Sequence, residues 1–568
     1  MSEVNPIVQE RFSELERLAR AAGLDPYDVI FFNVPVQVIY EVSSYGLPTR
    51  YTHWSFGRVY KYQKAQGEMG MSKIYELIIN NNPSYSFLDR NNPDTINLLV
   101  AAHCYAHSDF FKNNVMFRQA GETKMIEVAN RHAEQIDQYR KDFGDDEVDM
   151  WLDIALSLER HIDVYKGRKR QRYPARHVDY VERKVKEWED VADRNRKPLV
   201  EKVLKGLHIP PNPERDILWF LSEYANLEPW QQHIFDIVRR ESYYFYPQYR
   251  TKIMNEGWAS YWHAELMRQY SFGNANDYGV TDLKHPLTSE EHLDFAAAHE
   301  KVVQAGVKLP LKVETIDPQT GKKVKVWNPI ITRNPHNFRI ATRLNPYYMG
   351  FRIYRDIKER WDKYYEQGYM EDEWENKVPV HINGDQKIRQ VMMEEDDVSF
   401  LRNYLTEELA EKLHLFGYGN NDNFDDNYGI QEDHPPPDEK YDEGYEAQNI
   451  ENKTIICRTK DVKEIIASFA RGMNNYGVPE IVVRRVDETG MLRLEHVVDD
   501  KTNVDIGYAK HVLKYVWQAW GRRVELVRKA RDRTWIMTYD GDSDMFEIDH
   551  QTPDYPESIE YGAPPSSW

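Results

Sequence analysis

The sequence predicts a mainly α protein: a long helical body carrying one β-hairpin, followed by a small C-terminal α+β domain. Three observations predict it. Apolar residues recur at helical spacing from about residue 118 to 270 with no strand-like alternation between them, so residues 1–300 read as mainly helical. An acidic, Pro-rich stretch then separates two regions of different pattern. Beyond it, short apolar runs alternate with two helical segments, as in a compact module of ordinary domain size. The boundaries drawn from these are a body over 1–418, a linker over 419–450, an α+β module over 451–550 and a tail over 551–568.

Taken in order, Ile7, Phe12, Leu15, Leu18 and Ala22 fall near one face of a first helix that Gly23 stops. Residues 25–92 are rich in aromatics and turn formers, and within them Met71–Ile79 reads as a short helix or a strand. An amphipathic helix is expected over Asp94–Asn114, with Asp94 or Thr95 as its N-cap. Further helices are expected near 118–142, 147–165, 177–205, 213–226, 229–245 and 251–270. Val313–Ile316 and Lys323–Trp327 flank a turn at Asp317-Pro318-Gln319-Thr320-Gly321, which predicts a hairpin over 311–328. Helical patterning returns at 346–370 and 396–415. The stretch Asn420–Gln448 is too acidic and too poor in aliphatics to bury a core, and reads as a disordered linker. After it, strands are expected at Ile455–Cys457, Ile481–Arg485, Leu492–Val498, Val524–Val527 and Trp535–Tyr539. Helices are expected at Lys460–Met473 and Asp505–Trp520.

Charge and composition exclude several function classes. With 74 Lys+Arg against 93 Asp+Glu, the 568-residue chain carries a formal charge of −19 and would repel polyanions, so no nucleic-acid partner is expected. No run of eighteen apolar residues exists, so no membrane span is expected. Acids from the third residue on, the missing apolar leader and only two cysteines point to a reducing, cytoplasmic setting. The basic run Lys166–Arg172 reads as a solvated helix end or as a dock for an acidic partner. Gly417-Tyr418-Gly419 lacks the third glycine and the strand-then-helix setting of a phosphate loop.

Polar residues on faces that should be buried carry the chemistry. His103 and His107, four apart, project from the face of Ile96, Leu99, Val100 and Phe110, in the geometry two imidazoles need to chelate one metal. Two core histidines bonded to neighbouring carbonyls would leave the same pattern. Glu256 and His263 share a stripe with Ile253, Ser260 and Met267. A buried carboxylate there needs a metal or a buried Lys or Arg to compensate it. Glu241 lies on the stripe of Ile234, Ile237, Val238 and Phe245, with Arg239 and Arg240 beside it. Two His and a Glu with an open fourth position form the ligand set of a catalytic zinc, so a divalent metal on His103, His107 and Glu256 is expected. Glu241 and His263 are the candidates for a catalytic base. His53 and His299 could approach the same place.

The string Asn255-Glu256-Gly257-Trp258-Ala259-Ser260-Tyr261 resembles the second-helix motif of thermolysin-like metallopeptidases, and His103-Cys104-Tyr105-Ala106-His107 resembles their first, which implies zincin-like paired helices. In that family the residue after the first His is the Glu that deprotonates the metal's water, and here it is Cys104. A closer resemblance runs over residues 10–415. It is carried by His53–Gly57, Ser72–Pro83, His103–Asn114, Glu214–Phe220, Arg239–Phe245, Lys252–His263, Asn345–Tyr347 and Phe400–Thr406, which are similar to the stage V sporulation protein R (SpoVR) family. The resemblance implies a link to the spore cortex, a peptidoglycan layer, or to a related stress pathway. It also implies a PrkA-type serine kinase and a von Willebrand-like companion protein as partners. It brings no established reaction. The expectation is therefore a metal-dependent hydrolase of an amide or peptide bond, or a non-catalytic regulator working with that kinase.

Overall fold

The computed structural model describes residues 6–68, 76–121, 123–170, 209–303, 311–316, 323–328, 345–372, 374–413, 417–420, 455–459, 463, 466–467, 478–487, 489–497, 504–530, 533–542 and 544–549. The helix expected at 177–205, the acidic stretch from 421 on, most of the helix expected at 460–473 and the tail lie outside them. The chain forms two compact units, each made of two segments. One holds residues 1–137 and 244–473, the other 138–243 and 474–568. The expected body and C-terminal module are thus divided differently, because residues 138–243 group with the C-terminal strands. Mainly helical structure with small sheets matches the predicted class.

The first unit is built around two helices, Asp94–Asn113 and Lys252–Ser271, here called the His helix and the Glu helix. The amphipathic expectation for the His helix is corrected, because every residue from Asn97 to Phe111 is buried. Pro6–Ala21 packs Leu15 and Leu18 into the same core as Tyr105 and Phe110, and Pro346–Gln367 adds Ile353, Tyr354 and Ile357. A helix enclosed on all sides must pair its polar residues inside the core. Asp109 does so by accepting from the backbone N–H of Asp25 at 2.7 Å and from Trp258 Nε1 at 3.0 Å. The predicted cap is also corrected: Pro93 holds the N-cap position with no side-chain cap, and Asp94 lies in the first turn, where its charge suits the helix dipole.

The start of the Glu helix is fixed from a distance. Thr251 occupies its N-cap without a side-chain cap. The carboxylate of Asp397, which opens the helix Asp397–Tyr404, accepts from the backbone N–H groups of Ile253 and Met254 at 2.8 Å each. At Gly257 the Glu helix meets Gly350 of Pro346–Gln367 backbone to backbone. A Cβ placed on Gly257 would lie 2.4 Å from the Cα of Gly350, and one on Gly350 would lie 2.1 Å from the carbonyl oxygen of Ile253.

A three-stranded sheet forms within the aromatic-rich region 25–92. Ser84–Asp89 lies in its middle, parallel to Val29–Val34 and antiparallel to Glu76–Ile79. The ambiguous stretch ending at Ile79 is therefore a strand where it is described. The expected hairpin forms, with Leu311–Ile316 antiparallel to Lys323–Asn328. Gly417–Asn420 pairs with Ile455–Thr459, so the rejected glycine pair is a strand.

In the second unit, five strands run in the order Ile481–Val486, Leu492–His496, Val524–Ala530, Arg533–Tyr539, Asp544–Asp549. All neighbours are antiparallel except the second and third, whose crossover contains the helix Ile506–Trp520. Residues Ile209 and Glu214 bridge to Val486 and Val483. The basic run near residue 170 is no solvated helix end where it is described. Arg170 pairs with the buried Glu214 and lies 3.8 Å over the Trp219 ring, and Lys166 reaches Glu214 at 3.2 Å.

Candidate metal centre

His103 and His107 stand one turn apart on the His helix, their rings edge to face with centroids 4.5 Å apart. The Glu helix crosses so that Oε2 of Glu256 lies 3.5 Å from Nε2 of His103 and 3.4 Å from Nε2 of His107. All three ligand atoms lie within 4.8 Å of one another. The residues are 1%, 4% and 5% exposed, so water does not solvate the group. A tetrahedral zinc with bonds of about 2.0–2.1 Å separates its ligand atoms by about 3.3–3.4 Å, close to both carboxylate–imidazole distances. Oε2 makes no regular hydrogen bond, although it is buried. The sequence brought these three residues forward, and the fold brings them together.

The surrounding side chains orient the ligands. Nδ1 of His107 lies 2.8 Å from Oδ1 of Asn255, which can only accept, so Nδ1 carries a proton and Nε2 is turned toward Glu256. Nδ1 of His103 lies 2.7 Å from Nδ1 of His263, and Nε2 of His263 lies 2.6 Å from Nδ1 of His299. Asn255, Glu256 and His263 all belong to the Glu helix, which therefore supplies both the carboxylate and the orienting partner of each imidazole. Lys252, one turn before Glu256, pairs with its other oxygen, Oε1. The Tyr347 ring stacks on His103 at 6.0 Å.

The charge of the buried Glu256 is balanced from the solvent side by Lys252, whose side chain is largely exposed. Burial pushes the Glu256 carboxyl up, but the Lys252 ammonium and then the two imidazoles outweigh it and hold it well below the usual carboxylate range. His263 is pushed well below the ordinary imidazole value by burial and then by its histidine neighbours. His299 is pushed down to about 4 by burial and by His103. Both are neutral near pH 7, and Glu256 is ionised. The arrangement offers two imidazole nitrogens and one carboxylate oxygen, a donor set that zinc takes in catalytic sites.

The other candidates fare differently. His263 is an orienting partner of His103, held between two imidazoles. Glu241 is buried at 1% exposure on the helix Pro229–Arg250 and is not one of the three converging ligands. Cys104 directs its thiol to Ser86 of the middle strand, Sγ to Oγ 3.2 Å. His299 joins the cluster through His263, whereas Nδ1 of His53 lies 2.7 Å from Oγ of Ser55. Lys252 and Asn255 were not picked out by sequence reasoning. The i,i+4 spacing to Glu256 could have shown the first; the second depends on the crossing with the His helix, which spacing within one helix does not encode.

Comparison with known proteins adds the following. The family model described as SpoVR like protein matches residues 4–443. A curated relative, the uncharacterized protein YcgB of Escherichia coli (strain K12), is 28% identical over 549 residues, covering 92% of this chain and 91% of that protein. No solved structure matches.

Proposed function

Since the chain belongs to the SpoVR-like family, we propose that it serves a sporulation-associated or related stress pathway through a buried zinc centre on His103, His107 and Glu256. The observation that carries this is the convergence of an unbonded carboxylate oxygen and two imidazole Nε2 atoms at 3.4 and 3.5 Å in a dry volume. Asn255 fixes the ring of His107, so both Nε2 atoms and Oε2 of Glu256 face one point, where a divalent cation would be held by all three.

A divalent metal bound there supplies a Lewis acid and acidifies a water at its open position, the chemistry of amide or peptide hydrolysis. The protein's own residues hold and tune the centre. Asn255 and His263 fix ring orientation, and Lys252 occupies Oε1 so that Oε2 alone faces the imidazoles. On this reading the substrate is an amide or peptide, in keeping with a cortex-linked role.

A second reading is favoured by one contact. Cys104 stands where a peptidase has its base and is turned to Ser86. A centre without that base suits a non-catalytic partner of a PrkA-type kinase and its von Willebrand-like companion. No described helix is long and apolar enough to cross a membrane, and the proposed setting is the cytoplasm.

Elemental analysis of the full-length protein tests the centre. One metal per chain is expected in the wild type, and none after Glu256→Gln or His103→Ala in variants that keep their circular dichroism. A wild type that holds no stoichiometric metal after exposure to zinc sinks the proposal. A His103→Ala chain that keeps both fold and cellular function moves the assignment to the regulator.

A further inference from the structure

Three imidazoles from three helices form a continuous chain that leads away from Glu256. His103 is on the His helix, His263 on the Glu helix, and His299 on Ser289–Val303. The N···N separations are 2.7 Å and 2.6 Å, and the ring centroids are 5.0 Å and 4.8 Å apart. His103 and His263 are buried, and His299 is partly exposed between the rings of Phe295 and Phe351, at 6.0 and 5.5 Å. The reading of Glu256 and the paired imidazoles as a metal centre does not use His299.

The chain has a direction. Each contact joins two ring nitrogens, so one must bear a proton and the other a lone pair. A neutral imidazole has one N–H, so His263 donates at one of its nitrogens and accepts at the other. Only two arrangements satisfy both contacts. In the outward one, His103 Nδ1–H donates to His263, and His263 Nε2–H donates to Nδ1 of His299. Nε2 of His103 then keeps its lone pair. In the inward one every donation reverses, and Nε2 of His103 bears a proton facing Glu256 at 3.5 Å. Each ring holds one proton in both arrangements, so no charge is created in passing between them. A cation on Nε2 of His103 is compatible only with the outward arrangement.

We propose that His299 is a positioning residue for the metal centre: its contact with Nε2 of His263 fixes the ring whose other nitrogen pairs with His103, and so sets the metal affinity two rings away. The inference rests on the metal reading above. When the metal enters from the inward arrangement, the proton on Nε2 of His103 leaves. The proton between His263 and His103 passes to Nδ1 of His103, the one between His299 and His263 passes to Nε2 of His263, and His299 takes one from solvent at Nε2. Protons therefore balance, with one lost at the metal and one gained at the partly exposed end.

The test is a Co(II) titration of full-length protein against a competing chelator, with the visible absorption of bound Co(II) recorded. His299→Leu removes the acceptor and should weaken binding about 10-fold, the scale of an outer-shell partner. His299→Gln keeps an acceptor oxygen and should return to near wild-type affinity and spectrum. Thermal unfolding of the metal-free variants checks that both are folded. Equal affinity of wild type and His299→Leu overturns the chain and leaves the metal centre standing. A His299→Gln protein as weak as His299→Leu also overturns it, since packing and not acceptance would then matter. A folded wild type that takes up no Co(II) overturns the metal centre itself, and this inference with it.

Discussion

Replacing Gly257 by Ala tests whether the helix crossing beside Glu256 sets the ligand geometry. The added Cβ would lie 2.4 Å from both Cα and C of Gly350 and 2.9 Å from the backbone nitrogen of Phe351. Carbon atoms in contact prefer about 3.5–4.0 Å, so the two backbones must part by roughly 1 Å or more. Neither side can yield by rotating a side chain, because the opposing atoms are main chain. Overpacking of this kind costs about 1–3 kcal/mol. The effect on the centre is larger, because Glu256 is the next residue along the chain and metal–ligand distances tolerate only about 0.2 Å. The expected result is a modest fall in melting temperature with metal affinity down at least 100-fold, read by chelator competition. Gly350→Ala should do the same from the other side, since its Cβ would lie 2.1 Å from the Ile253 carbonyl oxygen. A Gly257→Ala protein that binds metal with wild-type affinity refutes the idea that this crossing places the carboxylate.

Other expectations follow from the same geometry. Asn255→Leu removes the acceptor that fixes His107 and should weaken metal binding by about 10–100-fold, whereas Asn255→Asp should retain it. Cys104→Ser should leave metal stoichiometry unchanged in elemental analysis, because the thiol faces Ser86; loss of the metal would make the thiol a ligand. Asp397 gives a pH dependence. Burial raises its carboxyl to about 7 against the pull of the Ile253 and Met254 N–H groups. The unfolded value is near 3.9, so between about 4 and 7 the folded protein binds the extra proton. Its contribution is therefore complete below about pH 4 and is lost as pH rises through 7, by a few kcal/mol in order of magnitude. Asp397→Asn should gain stability relative to wild type as pH is raised from 5 to 8; a gap in melting temperature that stays constant or narrows rules this out.

Much of the centre was legible because its parts obey local rules. The pair His103 and His107 shows in i,i+4 spacing, and Glu256 shows as a carboxylate on an apolar stripe. What spacing omits is the register between helices. His263 was visible as a buried histidine, but its contact with His103 arises only where the two helices cross. The three-stranded sheet escaped for a related reason. Val29–Val34 is a short apolar run, and its partner Ser84–Asp89 lies far along the chain, so nothing local distinguishes the pair from core helix or loop. The all-round burial of the His helix was hidden because its outer face, with Cys104, Tyr105, Ser108 and Asp109, looks polar enough for solvent. Those groups are satisfied inside the core by Ser86, by the carbonyl of Phe12, by Ser84 and Tyr27, and by Trp258 and Asp25.

Because the Glu helix brings the carboxylate together with Asn255 and His263, the centre also has a schedule. From His107 to Glu256 is 149 residues (256 − 107). A ribosome adding about 5–20 residues per second takes roughly 7–30 s to cover that distance. During that interval the nascent chain displays two imidazoles without their carboxylate or their orienting partners. An ion held by all three residues would therefore be acquired late, after the second helix has left the ribosome and docked, and a chain cut short before residue 252 emerges with half a centre that nothing holds in place.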